Sequence, residues 1–169
     1  MTGAAPKYYI HNDGLNEETI KPLIDFVNFN EGQLVIAINS TGGGQGLEAI
    51  LRQMLAENSD RITLVAVAGV SSAAFKLFYQ YDGKKVLTTG CIGMWHYGYR
   101  PAHIDERGKL AYTQDKAHVR SMKQIRPNAD ALAESFMNET ELRKFSKGDD
   151  VYFDFERMKQ IFPDAIIWD

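Results

Sequence analysis

The sequence reads LVIAINSTGGG over residues 34–44, and this stretch decides the class of fold. Its first part, Leu34 to Ile38, is an unbroken apolar run, short enough to be a β-strand that is buried on both faces. The run ends in Gly42, Gly43 and Gly44, which favour a tight turn. A helical pattern follows, with apolar residues at helical spacing on one face: Leu47, Ile50, Leu51, Met54 and Leu55. The stretch therefore predicts a buried strand that turns sharply into a helix.

The same order of elements continues on both sides of this stretch. Upstream, residues 8–10 form a short candidate strand, and Asn16 is placed to cap a helix over Ile20–Val27. Downstream, Ile62–Ala68 is a second buried strand that Gly69 stops, and a helix opens at Ser71. Short strands near residues 86–87 and 91–95 come next. Two successive β-α-β passes with buried strands predict an α/β fold with a mainly parallel sheet.

The character of the chain changes after Pro101. Residues 111–146 are polar, alanine-rich and predicted helical, with an interruption at Pro127 and Asn128. Their apolar face is thin and consists of Val119, Met122, Ile125, Leu132 and Phe136. Such a segment is typical of an arm that packs on another subunit, and a peripheral helical pair on its own domain is the alternative. An apolar stretch at 151–153, a helix at 155–162 and an apolar end at 166–167 complete one predicted domain, with its core at about 7–100 and 149–169.

Composition excludes several classes of protein. The 169 residues carry a net charge of −3 without a basic stripe, which argues against a nucleic-acid partner. The single Cys91 excludes an internal disulfide, and we expect no metal or cofactor. No apolar run reaches the ~18 residues of a membrane helix, and the first residues lack the apolar core of a signal peptide. We therefore expect a cytoplasmic protein with no membrane partner.

Two strand-to-helix turns are candidates for chemistry. The backbone N–H groups of Gly42–Gly44 could cradle a phosphate or form an oxyanion hole, or the glycines could simply allow a tight turn. Neither the GxGxxG nor the Walker pattern is present. At the second turn, Ser71 or Ser72 is either a helix cap or a nucleophile with the next N–H available to an oxyanion.

A histidine and an aspartate complete the candidate set. His96 follows a short strand, whereas His11, His103 and His118 lie in polar stretches and are interpreted as surface residues. Asp150 stands just before an apolar segment, where a partly buried carboxylate could orient an imidazole. A glycine turn, a serine, a histidine and an aspartate in this order supply the parts of an acyl-transfer site.

These motifs together resemble the Clp protease proteolytic subunit family (ClpP-like), within the Clp/crotonase superfamily. Residues 38–43 (INSTGG) are similar to the family's Ile-Asn-Ser-Pro-Gly-Gly, and residues 71–74 (SSAA) to its Ala-Ser-Met-Gly. Residues 94–96 (MWH) resemble its Met-Ile-His, and 150–153 (DVYF) its Asp-Arg-Phe. Gly83-Lys84 matches a family Gly-Lys, and residues 111–146 occupy the place of the family's helical handle. The resemblance runs from about Tyr8 to Ile167.

The resemblance implies a serine endopeptidase with a Ser-His-Asp triad. Ser72 would attack the substrate carbonyl, His96 would take its proton, and Asp150 would hold the imidazole. The N–H groups of Gly43 and Ala73 would form the oxyanion hole. Gly44 and Gln45 fall where the family's substrate-pairing strand begins, which implies peptide binding by strand addition.

Some departures leave the position of the nucleophile open. The family glycine stands four residues before the nucleophile, whereas Gly69 is three before Ser72, and the spacing from Ser72 to His96 is one residue short. Ser71 restores the second spacing and is the alternative nucleophile. Keeping the glycine offset instead would put Ala73 there and make the protein inert.

Two unusual residues follow the nucleophile position. Phe75 and Lys76 replace small or apolar family residues. A Ser–Lys pair that uses Lys76 is not favoured, because the helix would direct that side chain to solvent.

The resemblance also implies partners. It predicts a homo-oligomeric ring or double ring built through residues 111–146, with peptide or unfolded protein as substrate. Only about seven residues precede the first strand, so we expect the axial loops for an AAA+ unfoldase to be absent or very short. Two other functions remain open. These are an inactive ClpP-like structural or regulatory subunit, and, more weakly, a crotonase-type acyl-CoA enzyme.

Overall fold

The computed structural model describes residues 5–96, 102–104, 110–112 and 127–169. His118, Val119, Met122 and Ile125 lie outside the described residues. The chain divides into two compact units, one of residues 1–95 with 152–169 and one of residues 96–151.

The first unit contains most of the strands. They are β1 (Lys7–His11), β2 (Leu34–Ser40), β3 (Ile62–Ser71), β4 (Lys84–Thr88), β5 (Ile92–Trp95) and β9 (Ile166–Trp168). Strand β8 (Val151–Phe153) begins at the last residue of the second unit. The helices of the first unit are α1 (Glu17–Phe29), α2 (Gln45–Glu57), α3 (Ala73–Gln80) and α6 (Phe155–Ile161).

The sheet is parallel along its main path, in the order β1-β2-β3-β4-β9. Strand β5 pairs in parallel with the far end of β3, and β8 pairs with β5. The predicted α/β fold with a mainly parallel sheet is therefore confirmed. Because β2 and β3 are parallel neighbours, their carboxyl ends lie at the same edge, which is where open α/β sheets place their ligands. The glycine turn and the serine turn follow these two ends.

Local chemistry explains where α1 begins. The Asn16 side chain accepts hydrogen bonds from the N–H groups of Glu18 and Thr19, and Thr19 Oγ1 accepts one from Asn16 N in return. This capping box and the two glutamates of the first turn satisfy the free N–H groups of the helix start. The predicted cap at Asn16 is confirmed.

The core lies between the sheet and its helices. Leu34, Ile36 and Ile38 of β2 are fully buried, and Leu51 and Leu55 of α2 are buried as well. The prediction that Ile50 belongs to the buried apolar face of α2 was wrong. Ile50 is 52% exposed, because the core face of the helix runs through residues 48, 51 and 55.

Strand β3 is longer than its sequence predicts. It continues through Gly69 to Ser71, where a strand end at Gly69 was expected. Ala68 has a left-handed backbone with φ of 57°, and the pairing of β2 with β3 shifts between Ile38 and Ser40. Strand β3 therefore continues past Gly69, because a bulge changes the register without ending the pairing.

The second unit contains two further strands, β6 (Ala102–Ile104) and β7 (Leu110–Tyr112), which pair antiparallel. It also contains residues 127–134, here α4, and α5 (Glu139–Ser146). The start of the predicted helical segment was wrong, since Ala111 and Tyr112 belong to β7. Pro127 and Asn128, where an interruption was expected, are themselves helical. In the part of the chain that the structure describes, no helix has the length and apolar character needed to cross a membrane.

Candidate active site

Ser72 connects β3 to α3 with an unusual backbone conformation. Its φ is 53° and its ψ is −122°, and it occupies the N-cap position of α3 without a capping hydrogen bond from its side chain. A positive φ in a residue other than glycine costs on the order of 1–3 kcal/mol and persists only where its surroundings impose it. Helix capping therefore does not explain this serine.

Ala68, shortly before the serine turn, also has an unusual backbone conformation. It stands four residues before Ser72, and its φ of 57° is the left-handed conformation that glycine adopts most easily. Gly69, three residues before Ser72, is not among the glycines with a positive φ. The residue with the positive φ thus stands four positions before Ser72, and the glycine of this segment stands three positions before it.

The glycine turn packs directly against the serine turn. Gly42 has a φ of 92°, and a Cβ atom placed on it would lie 2.6 Å from the carbonyl oxygen of Ser71. The same Cβ would lie 2.8 Å from Ser72 Cβ and 2.9 Å from the backbone nitrogen of Ala73. Only glycine provides both the conformation and the space for this contact.

Leu15 holds the glycine turn from the other side. Its N–H donates to the Gly42 carbonyl at 2.8 Å, and its carbonyl accepts from the Gly44 N–H at 3.1 Å. Because this bridge uses the backbone groups of Gly42 and Gly44, the Gly43 N–H is directed away from Leu15. The Ala73 N–H is in the first turn of α3, where the helix itself provides no acceptor. The first unit thus packs the glycine turn against Ser72 and the backbone nitrogen of Ala73.

Gly44 and Gln45, the predicted substrate-binding residues, begin α2. Gly44 is the N-cap, and its carbonyl accepts from the Glu48 N–H at 3.0 Å. Since its N–H is bonded to Leu15, both backbone groups of Gly44 already have partners within the chain.

Replacement of Gly42 with alanine is expected to lower the free energy of unfolding by about 2–5 kcal/mol, the sum of left-handed strain and overpacking. Guanidinium unfolding of the purified variant measures this loss. Gly44→Ala is the matched control, because its added Cβ would meet only the Leu47 side chain at 3.5 Å. Equal stability of the two variants would contradict the packing of the two turns.

Strand β5 is hydrogen-bonded to the serine turn. Ser71 is in register with Met94, and the Ser72 N–H donates to the Met94 carbonyl at 2.8 Å. His96 follows Met94 by two residues. The serine turn is therefore bonded to β5 within the first unit.

The second unit brings His96 and Asp150 together. His96 Nδ1 lies 3.3 Å from Asp150 Oδ1. The histidine side chain is 18% exposed and the aspartate side chain is 48% exposed. Such a contact can set the tautomer and the orientation of an imidazole.

The two unusual residues after Ser72 have separate roles. Phe75 is fully buried in an aromatic cluster with Trp95 and Phe153, and its ring packs on Gly93, where a Cβ would lie 2.9 Å from it. The solvent direction expected for Lys76 was wrong, since Lys76 Nζ lies 2.7 Å from the buried Glu48 Oε2. The lysine is therefore bound to a carboxylate, which does not favour a Ser–Lys pair.

His11 was expected at the surface, and this was wrong. It is 2% exposed at the carboxyl end of β1, and its Nε2 has no hydrogen-bond partner among the described residues. Burial lowers the pKa of His11, an effect that the charge of Asp13 and hydrogen bonds with the backbone partly oppose. The sequence places it in a polar stretch, but its position in register with Ile38 puts it inside.

Cys91 is not a competing nucleophile. Burial raises the pKa of its thiol to about 11, so it stays protonated near neutral pH.

Sequence reasoning missed Leu15 and Glu48. The position of Glu48 on the same helix face as Leu51 and Leu55 was the available signal for a buried carboxylate. Nothing in the local sequence marks Leu15, because its bridge to Gly43 forms only when two distant segments meet.

The fold is that of an α/β protein with a mainly parallel sheet, and a strained serine turn lies at the carboxyl edge of this sheet. No family model matches the sequence, and no curated protein matches it. Solved structures, in contrast, are similar to this chain. A point mutant of ClpP1 from Listeria monocytogenes is similar with a TM-score of 0.69 at 14% identity, over 96% of this chain and 91% of that one. The ClpP protease catalytic domain from Plasmodium falciparum is similar with a TM-score of 0.63 at 20% identity, over 96% and 85%. The chain therefore has the ClpP-like fold.

Proposed function

We propose that this chain is a ClpP-like serine endopeptidase with Ser72, His96 and Asp150 as its triad. The observation that carries the proposal is the positive φ of Ser72, held between β3 and α3 against Gly42. Backbone strain of this kind is concentrated at functional sites, since a structure retains it only where it is imposed. Ser71, the alternative nucleophile, is the last residue of β3 and has no such feature.

The proposed mechanism follows from the roles of the groups. Ser72 Oγ attacks the peptide carbonyl while His96 Nε2 takes its proton, and Asp150 stabilises the imidazolium through Nδ1. The Gly43 and Ala73 N–H groups bind the oxyanion and contribute roughly 3 kcal/mol each. His96 then protonates the leaving amine, and water releases the acyl group by the same steps in reverse order. The hydrogen bond from the Ser72 N–H to the Met94 carbonyl supports this assembly, because it joins the serine turn to β5.

Peptide substrate would bind by strand addition next to the glycine turn. The proposal assigns this role to Gly44 and Gln45, with the Gly43 backbone as the accessible pairing partner. The direction of the Gly43 N–H, away from Leu15, supports it, because an extended peptide needs accessible backbone groups at its docking strand.

The proposed assembly is a cytoplasmic homo-oligomeric ring in which residues 111–146 contact other subunits. Tyr8 and Ile10 support contacts between copies. They lie two residues apart on β1, so they share a face of the strand, and they are 65% and 72% exposed. Neighbouring exposed apolar side chains are typical of surfaces that pack on a partner. No described feature identifies an unfoldase.

Labelling with a fluorophosphonate probe tests the function. We expect a covalent adduct on the peptide that contains Ser72, found by mass spectrometry of the folded and assembled protein. The inactive-subunit hypothesis predicts no adduct. An adduct on Ser71, or none on either serine, would reject Ser72 as nucleophile. A thermal shift with coenzyme A thioesters in the absence of labelling would favour the crotonase-type alternative.

A further inference from the structure

Glu48 is the only acidic side chain that is buried among the described residues, and its exposed fraction is zero. Burial of a carboxylate costs several kcal/mol unless cations and hydrogen bonds compensate it. The proposed catalytic mechanism does not use Glu48, so its burial needs another explanation.

Two cations compensate this charge. Lys76 Nζ lies 2.7 Å from Oε2, and Arg52 Nε lies 3.2 Å from Oε1. Arg52 belongs to α2, like Glu48, and its pairing spans one turn of the same helix. Lys76 belongs to α3. Of the two ion pairs of Glu48, the one with Lys76 therefore joins α2 to α3, and the one with Arg52 does not. The two cations therefore serve the same carboxylate with different structural consequences.

The ion pair joins equivalent positions of the two helices. Glu48 is the fourth residue of α2, and its N–H donates to the Gly44 carbonyl at 3.0 Å. Lys76 is the fourth residue of α3, and its N–H donates to the Ser72 carbonyl at 3.0 Å. Each residue is thus one hydrogen bond away from the turn that carries a backbone donor, Gly43 in one case and Ala73 in the other.

We propose that Glu48 and Lys76 are positioning residues that fix the distance between the glycine turn and the serine turn. Oxyanion donors act only when they lie about 2.7–3.1 Å from the developing charge, so small relative movements of the two helix starts matter. The ion pair suits this task because the fully buried carboxylate loses a large part of its compensation if the lysine moves away. The effect of this ion pair on catalysis rests on the proposed function. Its effect on the structure of the two turns does not depend on that function.

The test compares Lys76→Met with Arg52→Met. Both variants remove one cation from Glu48, but only the first breaks the link between helices. We expect the rate of fluorophosphonate labelling at 25 °C to fall about 10- to 100-fold in Lys76→Met, as for small misplacements of catalytic groups. We expect it to stay within about twofold of wild type in Arg52→Met. Lys76→Arg, which keeps the charge and reach, should recover most of the rate.

Amide hydrogen exchange provides a readout that does not depend on activity. In Lys76→Met, exchange should become faster at Gly43–Glu48 and at Ser72–Lys76 together, and in Arg52→Met it should not change at Ser72–Lys76. If Lys76→Met fails to fold, Glu48→Gln weakens the same pair while keeping its shape. Unchanged exchange at both turns, or equal effects of the two methionine variants, would overturn the positioning role. Absent labelling of wild type with coupled exchange would instead reject the proposed function alone.

Discussion

Replacement of Ser72 with alanine is expected to lower peptide hydrolysis by about 10⁴- to 10⁶-fold and to abolish the fluorophosphonate adduct. The reason is that the oxyanion donors and the substrate contacts remain, while the atom that forms the acyl bond is gone. The variant should still fold, because alanine tolerates the same backbone strain no worse than serine does. Steady-state hydrolysis of a fluorogenic peptide library, with labelling in parallel, measures both effects.

Ser71→Ala is the matched control for this substitution. Ser71 lies one residue earlier, at the end of β3, and its replacement should keep hydrolysis within a few-fold of wild type. The reverse result, with Ser71→Ala inactive and Ser72→Ala active, would assign the nucleophile to Ser71. Ser72→Gly offers a further check, because it should relieve about 1 kcal/mol or more of backbone strain and raise stability while removing activity.

Replacement of Asp150 with asparagine is expected to lower kcat by about 10⁴-fold with a much smaller change in KM. An asparagine amide can donate to Nδ1 and so stabilise the wrong tautomer of His96, and it provides no charge for the imidazolium. The 3.3 Å contact between His96 Nδ1 and Asp150 Oδ1 is the basis of this expectation. Peptide hydrolysis across a range of pH measures it, since a changed pH profile distinguishes a lost charge from a lost fold.

Asp149→Asn is the control, because Asp149 is the exposed neighbour of Asp150 and changes the net charge equally. A loss of less than tenfold in Asp150→Asn, or a similar loss in Asp149→Asn, would remove Asp150 from the triad. The stability of both variants should remain close to that of wild type, since both carboxylates are largely solvated.

Periodicity was sufficient for most of the core. Apolar runs at 34–38 and 62–68 correspond to buried strands, because a strand of a parallel sheet has apolar neighbours on both faces. Asn16 marked a helix start because capping depends on residues only two or three positions away. Where the pattern failed, at Ile50 and His11, burial depended on which neighbouring strand or helix faced the residue, and local sequence does not contain that information.

The sequence by itself determined the order of the elements, the parallel α/β class and the candidates Gly43, Ser72, His96 and Asp150, since periodicity, turn residues and motif order are local properties of the chain. Only the tertiary structure showed that Ser72 has a positive φ and Ser71 does not, and that Gly42 packs against this turn. The same holds for Ala68, whose left-handed backbone arises where the pairing of β2 and β3 shifts. Only the tertiary structure shows the ion pair of Glu48 and Lys76 as well, because these two residues are 28 positions apart in sequence and lie on different helices. Backbone strain and buried charge are offset by distant contacts, and such contacts exist only once the chain has folded.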